Sequence, residues 1–251
     1  MIADMMLDIM AVMWKEWREL FTTRGGLSQR QGGWTILLAL GVFGIFLPLQ
    51  FSESWLTSIW TVFWVVFVTT FWTVAYVADT FAGERERHTL ETLLASRLPD
   101  TAILLGKLLT IVAYVWGQVL ACLLLGAVTV NVARWTGQIQ FYRASVGLGA
   151  VGLGLLGAGL MAGLGILLSL HAATARQAQQ RLLVPMTILM LLPSVGSLIL
   201  PAAQQQQLFG ALMTADVTLV VGVILGVLLL ADAGLIALAL ARFQRSRLIT
   251  D

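Results

Sequence analysis

Charge is scarce in this sequence: Asp, Glu, Lys and Arg make up only 11% of its 251 residues, against roughly 25% in an ordinary soluble domain. With 59% hydrophobic residues and a mean hydropathy of +0.89, the chain cannot cover itself with polar surface, which excludes a soluble globular protein. Cysteine is nearly absent. Cys122 is the single one, so no internal disulfide or cysteine-based metal site is available. Histidine is equally rare. His88 and His171 have no second histidine or cysteine at ligand spacing, which leaves zinc chemistry without support. The net charge of +2 is too small an excess to suggest nucleic acid. The opening Met1-Ile2-Ala3-Asp4 is acidic and lacks a basic stretch followed by an apolar one, so no cleaved signal peptide is expected and the first spanning helix does the targeting.

Nucleotide and catalytic motifs are missing as well. A P-loop needs Gly-x-x-x-x-Gly-Lys-[Ser/Thr], and the pair Gly106-Lys107 is preceded by Thr101 and followed by Leu108, so no phosphate cradle forms there. The glycine-rich stretch from Gly147 to Gly165 contains no strand-to-helix turn, which makes a dinucleotide fingerprint improbable. Glu84 and Glu86 sit in a charged exposed hairpin, whereas intramembrane hydrolysis needs its polar groups inside the bundle. The chain is not expected to be an enzyme, and no metal or cofactor is expected in it.

What the sequence does contain is apolar runs of the ~20 residues that cross ~30 Å of hydrocarbon. They fall at about 34–50, 57–78, 102–130, 145–170, 182–200 and 217–241, which predicts an all-α membrane protein of six spans forming one domain over 1–251. Pro185 and Pro193 predict a kinked or broken fifth span. Residues 4–22 precede the spans, with Met10, Met13, Trp14, Trp17, Leu20 and Phe21 at helical spacing and Asp8, Lys15, Glu16, Arg18 and Glu19 mostly elsewhere on the wheel. That pattern fits an amphipathic helix lying in the headgroup region. Packing on a partner subunit would produce it too. Gly25-Gly26 and Gly32-Gly33 link it to the first span.

With the N-terminus inside, thirteen basic residues fall on the cytoplasmic side and two, Arg134 and Arg143, outside. The positive-inside rule then puts both termini in the cytoplasm.

The densest charge runs from Ala78 to Asp100. Burying its six charges, Glu84, Arg85, Glu86, Arg87, Glu91 and Arg97, at ~3 kcal/mol each would cost on the order of 18 kcal/mol, so the segment is expected to project into the cytoplasm. Thr89 reads as an N-cap, Glu91 complements the first turn, and Leu90, Leu93, Leu94 and Leu98 recur at helical spacing before Pro99. This predicts a short amphipathic helix, with Asp100 capping the third span. An ordinary solvated loop is the alternative.

Ala78-Asp79-Thr80-Phe81-Ala82-Gly83-Glu84-Arg85-Glu86-Arg87, Thr89-Leu90-Glu91 and Ile103-Leu104-Leu105-Gly106-Lys107 resemble the signature of type-2 ABC transporter (ABC-2) permeases. The resemblance covers about thirty residues, and His88 stands where many members carry glycine. It implies the transmembrane subunit of an ATP-driven transporter in the prokaryotic cytoplasmic (cell inner) membrane, an exporter by family likeness. Two permease copies or near relatives would pair with two P-loop ATPase subunits, which bind the ATP and magnesium. It also implies that 83–98 is a coupling helix, with Gly83, Glu84, Arg85, Glu86, Arg87, Thr89, Leu90 and Glu91 contacting the ATPase. A nontransporting membrane scaffold or assembly factor that docks a cytoplasmic partner through this hairpin is the rival reading.

Three further features stand out. Asp232, near the centre of the sixth span, costs ~3 kcal/mol to insert. It is expected to face the bundle, hydrogen-bonded to a residue such as Gln118 or Thr187, or to lie on a substrate or proton path. Ala150, Gly154, Ala158 and Ala162, joined by Gly159 and Gly163, form a small-residue ladder that admits a close neighbouring helix. The aromatics Trp55, Trp60, Phe63, Trp64, Phe67, Phe71, Trp72 and Tyr76 read as spread around much of the second span rather than on one stripe, facing lipid and packing partners.

Overall fold

The computed structural model describes residues 2–22, 36–87, 89, 95–169, 172, 174–184, 186–187, 201, 204, 206–207 and 217–242. These form an all-helical protein, with no strand among the described residues. Its elements are α1 (Ile2–Thr22), α2 (Ile36–Phe51), α3 (Ser54–Thr57), α4 (Ile59–Glu86), α5 (Asp100–Ala133), α6 (Ala144–Ser169), α7 (175–184) and α8 (Val217–Arg242). Among the described residues, α4, α5, α6 and α8 are long and apolar enough to cross a membrane.

The 34 residues of α5 extend ~51 Å at 1.5 Å per residue, well beyond a ~30 Å hydrocarbon core. The helix is therefore longer than an untilted crossing needs. Asp100 does not cap it. Pro99 is the N-cap residue, with extended backbone, and Asp100 occupies the first turn, where its carboxylate still complements the helix dipole.

α2 is shorter than a full span, and its middle, Leu40–Phe46, is a π-helix. Pro48 follows it and has no N–H to give the carbonyl four residues back, that of Gly44. The hydroxyl of Thr129 on α5 donates to that carbonyl at 2.8 Å instead. Gly44 permits the approach, since a Cβ there would lie 2.7 Å from Leu125 Cδ2.

α6 lies at the centre, against α4 and α5 on one side and α8 on the other. Ala150, Ala158 and Ala162 are fully buried, and a Cβ on Gly154 would reach Val119 of α5 at 3.1 Å. On the opposite side Gly159 meets Asp232 and Gly163 meets Leu235, both on α8. The small residues thus serve two neighbours of the same chain. The tightest crossing is with α4, where a methyl at Gly165 would fall 2.1 Å from Val77 Cγ1.

The helix that carries the second span starts where Ser58 accepts from the Trp60 N–H and runs on past residue 78 to Glu86. Charge marks where a chain leaves lipid, not where it leaves the helix, and Glu and Arg are good helix formers. Residues 95–98 form a turn and bends, so the amphipathic helix expected to end at Leu98 does not reach it. Finally, Trp60, Phe63, Trp64, Phe67 and Phe71 do share one stripe, in ring contacts of 5.8, 5.6, 5.5 and 4.7 Å between centroids. Apart from the adjacent pair Phe63 and Trp64, a spacing of three and four residues brings successive rings together on one face of α4. His88, Leu90, Glu91, His171, Pro185, Pro193, most of the 182–200 span and the glycine links before residue 34 lie outside the described residues.

Candidate functional site

The charged signature residues occupy the foot of α4, where α1, α5 and α7 converge. α1 reaches this point because Gly106 lets it come close: a Cβ on Gly106 would lie 2.6 Å from Val12 Cβ and 3.2 Å from the Ile9 carbonyl. Val12 is buried there, and the Trp17 ring meets Tyr114 of α5 edge-on at 6.1 Å. Met6, Met10 and Trp14 face outward. The apolar surface of α1 is therefore divided between its own bundle and the exterior.

One turn of contact places Lys107 beside Glu16. The Lys107 ammonium donates to Glu16 Oε1 at 2.8 Å, lies 2.9 Å from Glu84 Oε1 and donates to the Thr80 carbonyl at 3.2 Å. Its three protons thus have three oxygen acceptors, and the Phe81 ring lies 5.3 Å from the nitrogen. Lys15 donates to the same Glu84 oxygen at 3.0 Å and pairs with Glu16 and Glu19, each at 3.2 Å. Exposure falls from 41% for the Lys15 side chain to 4% for Glu84 and 1% for Lys107. A buried charge is tolerated only when paired and hydrogen-bonded, and this network ties α1, α4 and α5 into one unit.

Burial alone would raise the Glu16 pKa, but Lys107 and Lys15 outweigh it and hold the carboxyl below its ordinary value. Burial likewise opposes the charge on Lys15, and Glu16, Glu84 and Glu19 hold its pKa above the usual lysine value. The carboxylate oxygens of Glu16, Glu19 and Glu84 converge within 4.8 Å of one another. The two lysines supply the positive charge among them.

The structure separates the residues expected to contact an ATPase. Gly83 and Glu84 are buried, and Glu84 Oε1 is paired with Lys107 and Lys15. Arg85 is half-buried and donates to the Ala172 carbonyl at 2.9 Å. Glu86 accepts from the Ala175 N–H at 3.3 Å. Arg87 and Thr89 are exposed. Thr89 caps no following helix within the described residues: its N–H and hydroxyl both donate to the Glu84 carbonyl, at 2.9 and 3.2 Å, and close the end of α4.

Sequence reasoning quoted Lys107 within a motif and missed its role. The signal was a lone cation inside the apolar run Ile103–Leu109, which requires an acid from elsewhere. Ser169 was missed too. Its hydroxyl, at the end of α6, accepts from the Phe81 and Ala82 N–H groups at 3.3 and 3.0 Å.

Asp232 stands apart from this foot. It packs on Gly159, where an added Cβ would meet its Oδ2 at 2.8 Å, and its buried Oδ1 has no hydrogen-bond partner among the described residues. Gln118 does not bond it; its amide donates toward the Tyr76 hydroxyl at 3.5 Å.

The sequence profile of the ABC-2 family transporter proteins matches residues 47–209, more than half of the chain. The chain belongs to the ABC-2 transporter family. It is a multi-pass membrane permease of a family whose members are generally noncatalytic membrane subunits that work with an ATPase subunit. The match includes Glu84 and Lys107 but neither α1, which supplies Glu16 and Lys15, nor α8, which carries Asp232. No curated protein and no solved structure matches the chain.

Proposed function

We propose that this ABC-2 permease is the transmembrane half of an ATP-driven exporter. It has six spans, with Ile36–Phe51 and 182–200 completing the set, both termini in the cytoplasm, and α1 lying along the cytoplasmic face of the membrane. Two copies, or this chain and a near relative, pair with two P-loop ATPase subunits that bind the ATP and magnesium. The residues that follow α4, with Arg87, Thr89, Leu90 and Glu91 foremost, receive the push of the ATPase. The observation that supports this reading most is the lock at Lys107, which joins the foot of α4 to α1 and the start of α5. A displacement applied there moves three helices together rather than bending one, as a switch between inward-facing and outward-facing states requires.

Purification with the ATPase followed by reconstitution in vesicles tests it. Arg87→Glu, at the exposed end of α4, should uncouple ATP hydrolysis from the permease. An ATPase that fails to copurify, or whose hydrolysis and binding ignore Arg87→Glu, would count against coupling and in favour of a scaffold.

A further inference from the structure

Two arginines lie at the end of the bundle away from the Lys107 network. Arg134 follows the last residue of α5 and Arg143 precedes α6, so they flank one short connection, 134–143. From Lys107 to Arg134, α5 rises ~40 Å at ~1.5 Å per residue, close to the ~40–45 Å thickness of a bilayer with its headgroups included. With the charged Lys107 network at one surface, the connection emerges at the other. Both guanidinium groups are exposed, and neither forms an ion pair among the described residues. No acid occurs from residue 101 to 215. Arg143 also stands at the start of α6, where the helix dipole favours an anion.

The connection is held in shape by its base. Asn131 clamps it: its side-chain amide donates to the Gln140 carbonyl at 2.8 Å, and its side-chain oxygen accepts from the Gln140 N–H at 2.7 Å. The Tyr142 hydroxyl donates to the Leu123 carbonyl at 2.9 Å, and the Arg143 N–H to the Leu56 carbonyl at 3.0 Å. On this frame Trp135, Ile139 and Phe141 are 65%, 63% and 79% exposed. A clamped loop cannot fold such side chains inward, so an apolar environment from outside the chain covers them. They continue a stripe that is already in lipid. Leu124, Val128 and Val132 recur every four residues on one face of α5 and are exposed too, within a helix long and apolar enough to cross the membrane.

We propose that the 134–143 connection is a lipid anchor in the leaflet opposite the Lys107 foot: Trp135, Ile139 and Phe141 enter the boundary between acyl chains and headgroups, and Arg134 and Arg143 bind lipid phosphates. Aromatic side chains favour that depth, and arginine takes phosphate through paired N–H donors. A bilayer surface supplies both things the connection needs at one place, apolar cover and anions. The anchor requires that α5 cross the bilayer and does not depend on coupling to an ATPase. It holds the head of α5 in lipid while the Lys107 network holds its start, so a displacement of the foot turns α5 about a fixed point.

Nitroxide labels on Ile139→Cys and Phe141→Cys, with exposed Glu53→Cys between α2 and α3 as the water reference, test this in the full permease. The background is Cys122→Ala, which removes the one native thiol, and the vesicles are phosphatidylcholine with phosphatidylglycerol. The labels at 139 and 141 should collide with oxygen in preference to a water-soluble nickel complex, and the label at 53 should show the reverse. Arg134→Gln together with Arg143→Gln should shift the label at 141 toward the nickel complex. A preference for nickel at 139 and 141 in the parent chain places the connection in water and overturns the anchor. Shielding from both reagents means that a second copy or another protein covers it, which overturns the anchor as well. Labels that stay in lipid and ignore the arginine pair overturn the phosphate contacts.

Discussion

Replacing Lys107 with methionine removes the one ammonium that both Glu16 and Glu84 contact at under 3 Å. The side chain of Lys107 is 1% exposed, so water cannot take its place. Removing one member of a buried ion pair typically costs about 3–5 kcal/mol, because the partner stays charged in low dielectric. Lys15 remains 3.0 Å from Glu84 and 3.2 Å from Glu16, which puts the expected loss at the low end, about 3 kcal/mol. The loss should fall on the attachment of α1. Amide hydrogen exchange along α1 should speed up by about two decades, since about 1.4 kcal/mol corresponds to a factor of ten. The pair Lys107→Met with Glu84→Gln removes one charge of each sign and leaves Lys15 to Glu16. It should recover most of the protection. A single substitution that changes exchange in α1 less than threefold, or a double one that is worse than the single, would refute the lock.

The same network sets a pH limit. Glu16 has a folded pKa below its ordinary 4.5, so the stability it contributes is complete above about 4.5 and is lost as pH falls through the depressed value. Proteolysis in or next to α1 should therefore stay constant from neutral pH down to about 4.5 and rise below it, and a Glu16→Gln variant should lose that acid step. Gly106→Ala should push Val12, and α1 with it, away from α5 and cost about 1–3 kcal/mol by overpacking, measured as a lower unfolding temperature in detergent; Val12→Ala in the same chain should restore part of it. Asp232→Leu is expected to raise the unfolding temperature, because a buried carboxyl oxygen without a partner is replaced by an apolar side chain. A fall would show that the acid has a binding partner, and transport retained in Asp232→Asn would eliminate an obligatory proton-carrier role.

Hydrocarbon thickness writes itself into a sequence as run length, which is why the starts and ends of α5, α6 and α8 lie within three residues of the apolar runs that predicted them. The small-residue face of α6 was equally readable, because an i, i+4 ladder of glycine and alanine has few uses other than close packing. The foot was not. Whether Glu84 is solvated or buried depends on Lys107 and on Glu16, and the latter two are 91 residues apart; local charge density gives the solvated answer. α2 shows the same limit. Pro48 announces a missing donor, yet the hydroxyl that replaces it comes from Thr129, on a different helix. The aromatic residues of α4 were misjudged for a simpler reason: the count included Trp55, which lies before the helix begins, and Trp72 and Tyr76, which lie off the stripe.

The π-turn of α2 has a consequence for how replaceable that helix is. Its Gly44 carbonyl is completed by α5 and its glycine is shaped to the Leu125 side chain, so α2 is half of a fitted joint rather than a generic membrane anchor. A chimera that grafts another apolar sequence of equal length would satisfy the bilayer but set a Cβ against Leu125 and hold the carbonyl at position 44 away from the Thr129 hydroxyl. The membrane would accept the new helix; the bundle would not.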